Sequence, residues 1–166
     1  VLALAAGNGT ILAGGSFTSA GGQARGAVAA LDTLNGAATS WNPGVDNMVS
    51  ALAVSGATAY VGGTFTTLGG QSRSNVGAVD LASGVTTSWN PGVDGQVSTI
   101  ALSAGRVYVG GSFTTVNGQG RQNLAVVDSA TQTVGAWNPN ANGTVRALIP
   151  TCGEIYAAGF FTTIGG

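Results

Sequence analysis

The stretch YVGGTFTTLGGQSR, residues 60–73, decides the fold because similar stretches recur along the chain at one fixed interval. Phenylalanines and tryptophans recur 48 residues apart, without insertion or deletion between them. They are Phe17, Phe65, Phe113 and Phe161, and Trp41, Trp89 and Trp137. A period of about 40 to 50 residues, with four short strand-like runs in each, is typical of β-propeller blades. The sequence therefore predicts an all-β propeller arc of four-stranded antiparallel blades.

The period divides the 166 residues into about three and a half blades. Unit one covers residues 1–48, unit two 49–96, unit three 97–144, and the partial unit four 145–166 with its first two strands only. Since a half blade leaves an unpaired strand edge and end units need a cap, we expect partners there. The expected partners are the remaining blades of a longer parent chain, of which this would be a fragment, or a second copy.

Unit two shows the blade plan most clearly, with strands predicted at residues 49–54, 58–65, 76–81 and 85–89. Residues 67–73 form the loop that reverses the chain into the third strand. Gly62 and Gly63 lie inside the second strand, where paired glycines mark a bulge or a close approach of another backbone. Unit three has Gln132 where unit two has Gly84, so we expect its outer hairpin to turn differently.

A turn motif follows the last strand of each complete unit. In unit two it reads Asn90-Pro91-Gly92, which suits a type II turn with positive φ at its third residue. Unit three has Asn140 at that third position. Asparagine is the next best residue for left-handed geometry, which supports the turn assignment.

The composition excludes several classes of partner. Only 7% of the residues are charged, none is Lys or His, and the net charge is -1. Such a chain cannot neutralise a run of phosphates, so nucleic acid and anionic membranes are poor partners. Its apolar runs are too short for membrane insertion. The single cysteine, Cys152, lies at a variable turn position and is interpreted as an incidental small residue.

Strand direction groups repeated polar residues at one end of the blades. If strands alternate up and down, the loops holding Arg73 and Asp94 emerge together, whereas Asp80 lies at the opposite end. Each Arg then braces loops, through an ion pair or backbone carbonyls, or belongs to a polar ligand-binding ring; both interpretations remain open. The candidate residues of this ring are Gln23, Arg25, Asp46, Gln71, Arg73, Asp94, Gln119, Arg121 and Asn142.

The tryptophans also allow two interpretations. Trp41, Trp89 and Trp137 follow the fourth strand beside a rigid Asn-Pro turn, where a large side chain fills the gap between blades. An aromatic face can also stack on a sugar ring, which makes all three candidate glycan contacts. Tyr60 and Phe65, with their equivalents, are predicted to be core residues.

No catalytic constellation emerges. Without His or Lys, the usual general base and imidazole metal ligand are unavailable. One Asp per loop supplies too few oxygens for calcium unless carbonyls complete the shell. We therefore predict no catalytic residues, no metal and no cofactor. Arg106 and Glu154, which depart from the repeat at one shared position, are expected to face each other across adjacent blades. Asn8 and Asn142 each begin an N-glycosylation sequon.

Residues 60–80, YVGGTFTTLGGQSRSNVGAVD, followed by residues 88–97, SWNPGVDGQV, resemble the delta-60 type of bacterial β-propeller repeat. More distantly they resemble kelch blades, which share a Tyr-x-Gly-Gly strand and a later Trp. The resemblance implies a module of large secreted or surface-attached bacterial proteins, and it supplies no catalytic residues. Kelch-type copper oxidases need His ligands, which this chain lacks.

The expected function is accordingly a non-enzymatic, extracellular or cell-surface module for adhesion, surface scaffolding or protein interaction. A lectin-like glycan binder that uses the repeated Trp, Asn, Gln and Arg loops is the first alternative. A piece of a propeller enzyme with its active site in other blades is the second. Both a protein and a glycan therefore remain as expected surface partners.

Overall fold

The computed structural model describes residues 1–7 and 9–165, and every regular element in it is a β-strand. Unit one contains β1 (Ala3–Gly7), β2 (Thr10–Gly14), β3 (Ser19–Ala20), β4 (Gln23–Ala24) and β5 (Val28–Asp32). Unit two contains β6 (Val49–Ser55), β7 (Thr58–Gly63), β8 (Thr67–Leu68), β9 (Gln71–Ser72) and β10 (Val76–Asp80). The sequon that begins at Asn8 falls outside the described residues.

Units three and four follow the same order. Unit three contains β11 (Gln96–Ser103), β12 (Arg106–Ser112), β13 (Thr115–Val116), β14 (Gln119–Gly120) and β15 (Leu124–Asp128). Unit four contributes β16 (Thr144–Pro150) and β17 (Ile155–Phe160). In each of the first three units the three long strands form an antiparallel sheet with the second strand in the middle. The predicted all-β propeller arc is confirmed.

The fourth segment of each blade pairs more sparingly than the sequence suggests. In unit two it joins the third strand at one bridge, between Val79 and Thr86. Beyond this bridge the Thr87 N–H donates to the Ala78 carbonyl at 2.9 Å, and the Thr87 hydroxyl donates to the same carbonyl and accepts the Trp89 N–H, both at 3.2 Å. The ladder therefore stops about where the chain turns towards the next blade.

A short hairpin extends the loop between the second and third strands, where we expected an unpaired loop. In unit two β8 and β9 form it, with Leu68 opposite Gln71. Leu68 also bridges to Val45 in the segment that leads out of unit one, and the Gly69 N–H donates to the Gly44 carbonyl at 2.9 Å. Unit three repeats the contact between Val116 and Val93. In units two and three the hairpin therefore pairs with the chain that arrives from the preceding blade.

The glycine pair lies where the prediction of a bulge and a close approach requires it. The register of β6 and β7 shifts between Val49 and Ala51, opposite Gly62 and Gly63. A Cβ on Gly63 would meet the Met48 carbonyl oxygen at 2.0 Å. A Cβ on Gly62 would meet the Val97 Cγ1 atom of unit three at 2.6 Å. The bulge is confirmed, and the backbone that approaches closely is that of Met48 in the same blade; the neighbouring blade approaches Gly62 through a valine side chain.

The turns that need left-handed backbone also follow the repeat. Gly44, Gly92 and Asn140 have φ of 71°, 61° and 50°, as the type II assignment requires. The expectation for Gln132 is wrong, because its φ of 64° matches the 75° of Gly84. Its side chain explains the tolerance, since the Gln132 Oε1 atom accepts the Asn90 N–H of unit two at 3.0 Å.

The core lies between blades rather than within them. Three clusters of buried side chains each join neighbouring units, and Val49, Val97 and Val145 are fully buried where the first strand of one unit covers the preceding unit. The equivalent Val1 is 75% exposed, because no unit precedes it in this structure. Among the described residues, no helix is long and apolar enough to cross a membrane.

Candidate functional site

The repeated arginines lie beneath the hairpins and bind backbone carbonyls. Arg73 is only 7% exposed; its guanidinium donates to the Ser72 carbonyl at 2.8 Å and to the Thr87 carbonyl at 2.7 Å. The Gln71 side-chain oxygen accepts a third, longer bond of 3.3 Å. Thr87 belongs to the outer segment of the same blade, so Arg73 ties the hairpin to that segment.

The other two arginines repeat this arrangement. Arg25 donates to the carbonyls of Ala24 and Thr39, and Arg121 to those of Gly120 and Gly135, all within 2.6–2.7 Å. Of the two forms of bracing, the structure therefore has the carbonyl form and not the ion pair. Gln23, Gln71 and Gln119 stay exposed beside them.

The residues expected to face these arginines bind the next blade instead. Asp94 of unit two accepts the N–H groups of Thr114 and Thr115 of unit three, each at 2.9 Å, together with the Thr114 hydroxyl. Asp46 makes the same three bonds to Thr66 and Thr67. Each carboxylate therefore acts as a strut between consecutive units.

Unit three has an amide at the strut position. The Asn142 Oδ1 atom accepts the Thr162 and Thr163 N–H groups at 2.8 and 3.0 Å, and its Nδ2 donates to the Thr162 hydroxyl at 2.8 Å. A neutral amide thus reproduces the bonds that Asp94 makes. The strut depends on hydrogen-bond geometry more than on charge.

Hydrogen bonding controls the protonation of these carboxylates. Partial burial opposes ionisation of Asp94, but the Thr114 hydroxyl and the two backbone N–H donors outweigh it and lower its pKa to about 2. The same balance lowers the pKa of Asp46. Both side chains are therefore ionised throughout the physiological pH range.

The other set of aspartates lies at the opposite end of the blades, as strand direction predicts. The Asp80 carboxylate accepts the Ser83 N–H at 2.7 Å and the Ser83 hydroxyl at 2.6 Å, which closes the turn after β10. The Ser83 hydroxyl is the main reason why the pKa of Asp80 is lowered. Asp128 does the same with Thr131. These are turn caps, not members of the Arg ring.

Two of the three tryptophans pack between blades. Trp41 and Trp89 are about 95% buried, and each Nε1 donates at 3.1 Å to a carbonyl of the next unit, that of Asp80 or Asp128. The Trp89 ring meets Tyr60 edge to face at 5.1 Å. Stacking on a sugar would require both rings to leave the core.

Trp137 differs from its two equivalents because it is 36% exposed. It packs edge to face on Tyr108 at 5.5 Å and lines a groove of about 370 Å³ between units three and four. Arg106 and Glu154 line the same groove. The Glu154 carboxylate accepts the Tyr156 hydroxyl at 2.8 Å.

With the arginines and Asp struts engaged, the loop end of the blades presents mainly neutral polar groups. A groove of about 410 Å³ between units two and three is lined by Ser72, Ser74, Asn90, Asp94 and Asn117, among others. The exposed Gln71 side chain stands on the same hairpin as Ser72. We call this groove the loop-end groove.

Sequence reasoning missed the partners of the struts and one further set of ties. Asn75 and Asn123 have φ of 64° and 63°, and their side-chain amides donate to the carbonyls of Val93 and Ala141 at 2.8 Å. Their separation of 48 residues, like that of the Thr pairs, was the signal that could have found them.

No group of three or more His, Cys, Asp or Glu side chains within residues 1–7 and 9–165 is placed to hold a metal ion. Cys152 is exposed and forms no disulfide.

Comparison with known proteins supports the fold. A family described as "Domain of unknown function (DUF5122) beta-propeller" matches residues 6–38 and 103–125. The two matches begin at nearly the same position of units one and three, in agreement with the 48-residue period. No curated protein matches the chain.

Two solved structures are similar in fold. The computationally designed Ika4 protein superposes with a TM-score of 0.68 at 17% identity, over 98% of this chain and 87% of that one. The computationally designed Ika8 protein gives 0.55 at 15% identity, over 97% of this chain and 56% of Ika8. At such low identity these likenesses concern the fold alone, and the chain spans little more than half of Ika8.

Proposed function

We propose that this chain is a non-enzymatic binding module that holds a protein partner on its loop-end groove, for adhesion or surface scaffolding. The observation that best supports the proposal is that repeated charged and aromatic side chains already have partners within the arc. Arg73 and Trp89 are buried and bonded within the blades, and Asp94 serves as a strut. The groups left at the surface donate and accept hydrogen bonds but carry little charge.

The chemistry of the loop-end groove suits a protein surface. Hydroxyls of Ser72 and Ser74 and amides of Asn90 and Asn117 offer donors and acceptors along one open side. Ser and Asn supply adaptable hydrogen bonds in the polar, wet interfaces that antibodies form with proteins. With one exposed carboxylate, Asp94, the groove favours a neutral or weakly basic partner.

A role outside catalysis follows from the residues available. The chain has no His and no Lys, and its repeated carboxylates are ionised hydrogen-bond acceptors with depressed pKa values or turn caps. A general acid or base works best with a pKa near the operating pH, which is far from that of Asp94. The alternative is an active site in other blades of a longer protein.

We propose an extracellular or cell-surface location. Supporting it are the scarcity of charged residues, the abundance of Ser, Thr, Asn and Gly, and the resemblance to repeats of secreted bacterial proteins. Surface biotinylation of the producing cell, followed by mass spectrometry of labelled and secreted proteins, tests the location. Recovery only in the intracellular fraction would contradict it.

The binding proposal is tested by adding charge to the groove. The double variant Ser72→Lys/Asn90→Lys places two ammonium groups on exposed groove positions, and its matched control, Ala82→Lys/Ala130→Lys, places two at exposed positions of the opposite end. Binding of each protein to an immobilised panel of extracellular-matrix and cell-surface proteins is measured by surface plasmon resonance. We expect wild type and the control to bind a panel member alike, and the groove variant to lose about tenfold in affinity or more.

Equal binding by both variants would contradict the loop-end groove as the site. Failure of the wild-type protein to bind any panel member would contradict the proposed protein partner. Circular dichroism spectra of both variants show whether the fold is intact.

Glycan binding remains a second candidate at one place only. The exposed Trp137, with Tyr108, Arg106 and Glu154, combines an aromatic face with hydrogen-bonding groups in one groove, as sugar recognition requires. A glycan that stacks there would shield Trp137 from acrylamide and change its fluorescence. No change with any sugar of a broad panel would remove this candidate.

A further inference from the structure

The interface between consecutive blades depends on one glycine per unit. Gly14, Gly62 and Gly110 occupy equivalent positions on the second strands, and a Cβ on any of them would meet the first-strand valine of the next unit at 2.5–2.8 Å. These valines are Val49, Val97 and Val145. Separations below 3.0 Å require something to move, and a branched valine side chain has little freedom to do so. Glycine at this position therefore leaves the space in which the first strand of the next blade packs.

Unit four breaks the repeat at this position. Ala158 stands where the other units have glycine, and it is exposed on β17. One more position of the same exposed face is larger than its equivalent in unit three: Ile149 replaces Ala101, which is buried there. Ile149 is 63% exposed. This face, which we call the end face, is bulkier and more apolar than the faces that are covered inside the arc.

What covers such a face is known from the rest of the arc. In units one, two and three the equivalent face is covered by the first strand of the following unit, which buries a valine and a leucine or isoleucine. The end face continues the same surface on β16 and β17, with Tyr156 at the position of the buried Tyr60 and Tyr108. The occupant therefore approaches as a propeller first strand, but it cannot carry valine opposite Ala158.

The same geometry tells against a second copy of this chain. The first strand that another molecule would offer contains Val1 and Leu4, which are 75% and 66% exposed. Val1 occupies the position of Val49, Val97 and Val145. It would thus meet the methyl group of Ala158 at a separation that the interior interfaces avoid by using glycine.

We propose that the end face binds the first strand of a further propeller unit that carries glycine, or at most another residue smaller than valine, opposite Ala158. Such a strand leaves room for the Ala158 methyl group. The substitution thereby selects which first strand can pack on the end face, and it disfavours head-to-tail chains of identical arcs. This surface is separate from the loop-end groove, so neither proposal depends on the other.

The experiment relieves the same clash from each side. Ala158→Gly restores the interior glycine, and Val1→Gly supplies the small residue on the opposite edge; both positions are exposed, so neither change removes a core contact. Sedimentation equilibrium measures head-to-tail association of the 166-residue chain. We expect each single variant to associate about tenfold more tightly than wild type, or more, because an overpacked contact is removed.

The matched control is Ala147→Gly, which removes the same methyl group from the residue paired with Ala158 on the same face. It should leave association at the wild-type level. Wild-type association equal to that of Ala158→Gly and Val1→Gly would overturn the proposal, as would an equal gain from Ala147→Gly. A gain from Ala158→Gly that Tyr156→Ala does not weaken would place the contact elsewhere and overturn it too.

Discussion

At the scale of single residues, the repeated arginines and aspartates bind partners inside the arc. Arg73 ties a hairpin to the outer segment of its own blade, and Asp94 ties one blade to the next. Exposed ion pairs contribute only about 0 to 1 kcal/mol, whereas hydrogen bonds to charged groups contribute about 1.5 to 3 kcal/mol. The carbonyl partners of the arginines therefore account better for their use as braces than the ion pairs considered from the sequence.

The brace predicts that Arg73→Gln destabilises the fold. A glutamine cannot reach both the Ser72 and Thr87 carbonyls, so at least one acceptor loses its partner, at a cost of about 1 to 3 kcal/mol in the free energy of unfolding. Urea denaturation followed by circular dichroism measures it. Arg106→Gln, at an exposed arginine, is the control and should change stability by less than about 0.5 kcal/mol. Equal effects of the two changes would contradict the brace.

Gly62, at the interface between two blades, predicts that two glycine-to-alanine substitutions differ in their effect on stability. Gly62→Ala places a methyl group 2.6 Å from Val97 Cγ1 and should destabilise by about 1 to 3 kcal/mol through overpacking. Gly120→Ala is the matched control, because no atom lies within 4 Å of its new Cβ. Thermal denaturation compares the two. A Gly62→Ala variant as stable as Gly120→Ala would show that the blades adapt to the extra volume.

At the scale of elements, the first strand and the Asp strut of each unit hold consecutive blades together. The strut also makes stability depend on pH. The pKa of Asp94 in the folded chain is about 2, below its ordinary value of 3.8, so ionised Asp94 stabilises the fold above about pH 4. That contribution is lost as the pH falls through about 2. Asp46 and Asp80, whose pKa values are also lowered, act in the same direction.

We expect Asp94→Asn to keep the strut but to reduce its acid sensitivity. Asn142 shows that an amide can make the same bonds at the equivalent position of unit three. The loss of unfolding free energy between about pH 4 and pH 2 should therefore be smaller in Asp94→Asn than in wild type. Asp94→Ala, which leaves the Thr114 and Thr115 N–H groups without that acceptor, should be less stable at neutral pH. A pH profile unchanged by Asp94→Asn would contradict the assignment.

The tryptophans predict a difference between an interior and an end position. Trp89→Phe removes the hydrogen bond to the Asp128 carbonyl and should cost about 1 to 3 kcal/mol, because that buried acceptor loses its donor. Trp137→Phe changes a ring that is already 36% exposed and should cost less. Chemical denaturation measures both. A larger loss of unfolding free energy in Trp137→Phe than in Trp89→Phe would contradict interblade packing as the main role of Trp89.

At the scale of the whole molecule, the architecture is a one-dimensional stack in which each blade contacts its neighbours. The 48-residue period predicted the propeller arc and the three long strands of each blade, and the Asn-Pro-Gly motif predicted the left-handed turn, because these features depend on local sequence and hydrophobic pattern. The choice of hydrogen-bond partners was less predictable. Backbone carbonyls and carboxylates both lie at the end of the blade that holds Arg73. Only the distances across the blade decide which of these acceptors Arg73 binds.

The fourth strand and Gln132 show the same limit. Residues 85–89 have a strand-like pattern, but they pair with the third strand at one bridge only, as the equivalent segments of units one and three do. Gln132 adopts the left-handed conformation of Gly84, and its side chain accepts the Asn90 N–H of another unit. Such ties join residues that are far apart in sequence, so a repeat pattern reveals that a position matters without naming its partner.

Asp46 and Asp94 are struts between blades and not free ligands at a binding face. Amide hydrogen exchange of Thr66, Thr67, Thr114 and Thr115, followed by NMR, tests it most directly, because these N–H groups donate to Asp46 and Asp94. We predict protection comparable to that of the β7 and β12 amides, and its selective loss at Thr114 and Thr115 in Asp94→Ala. Exchange at the rate of an unstructured loop in the wild-type chain would contradict the claim.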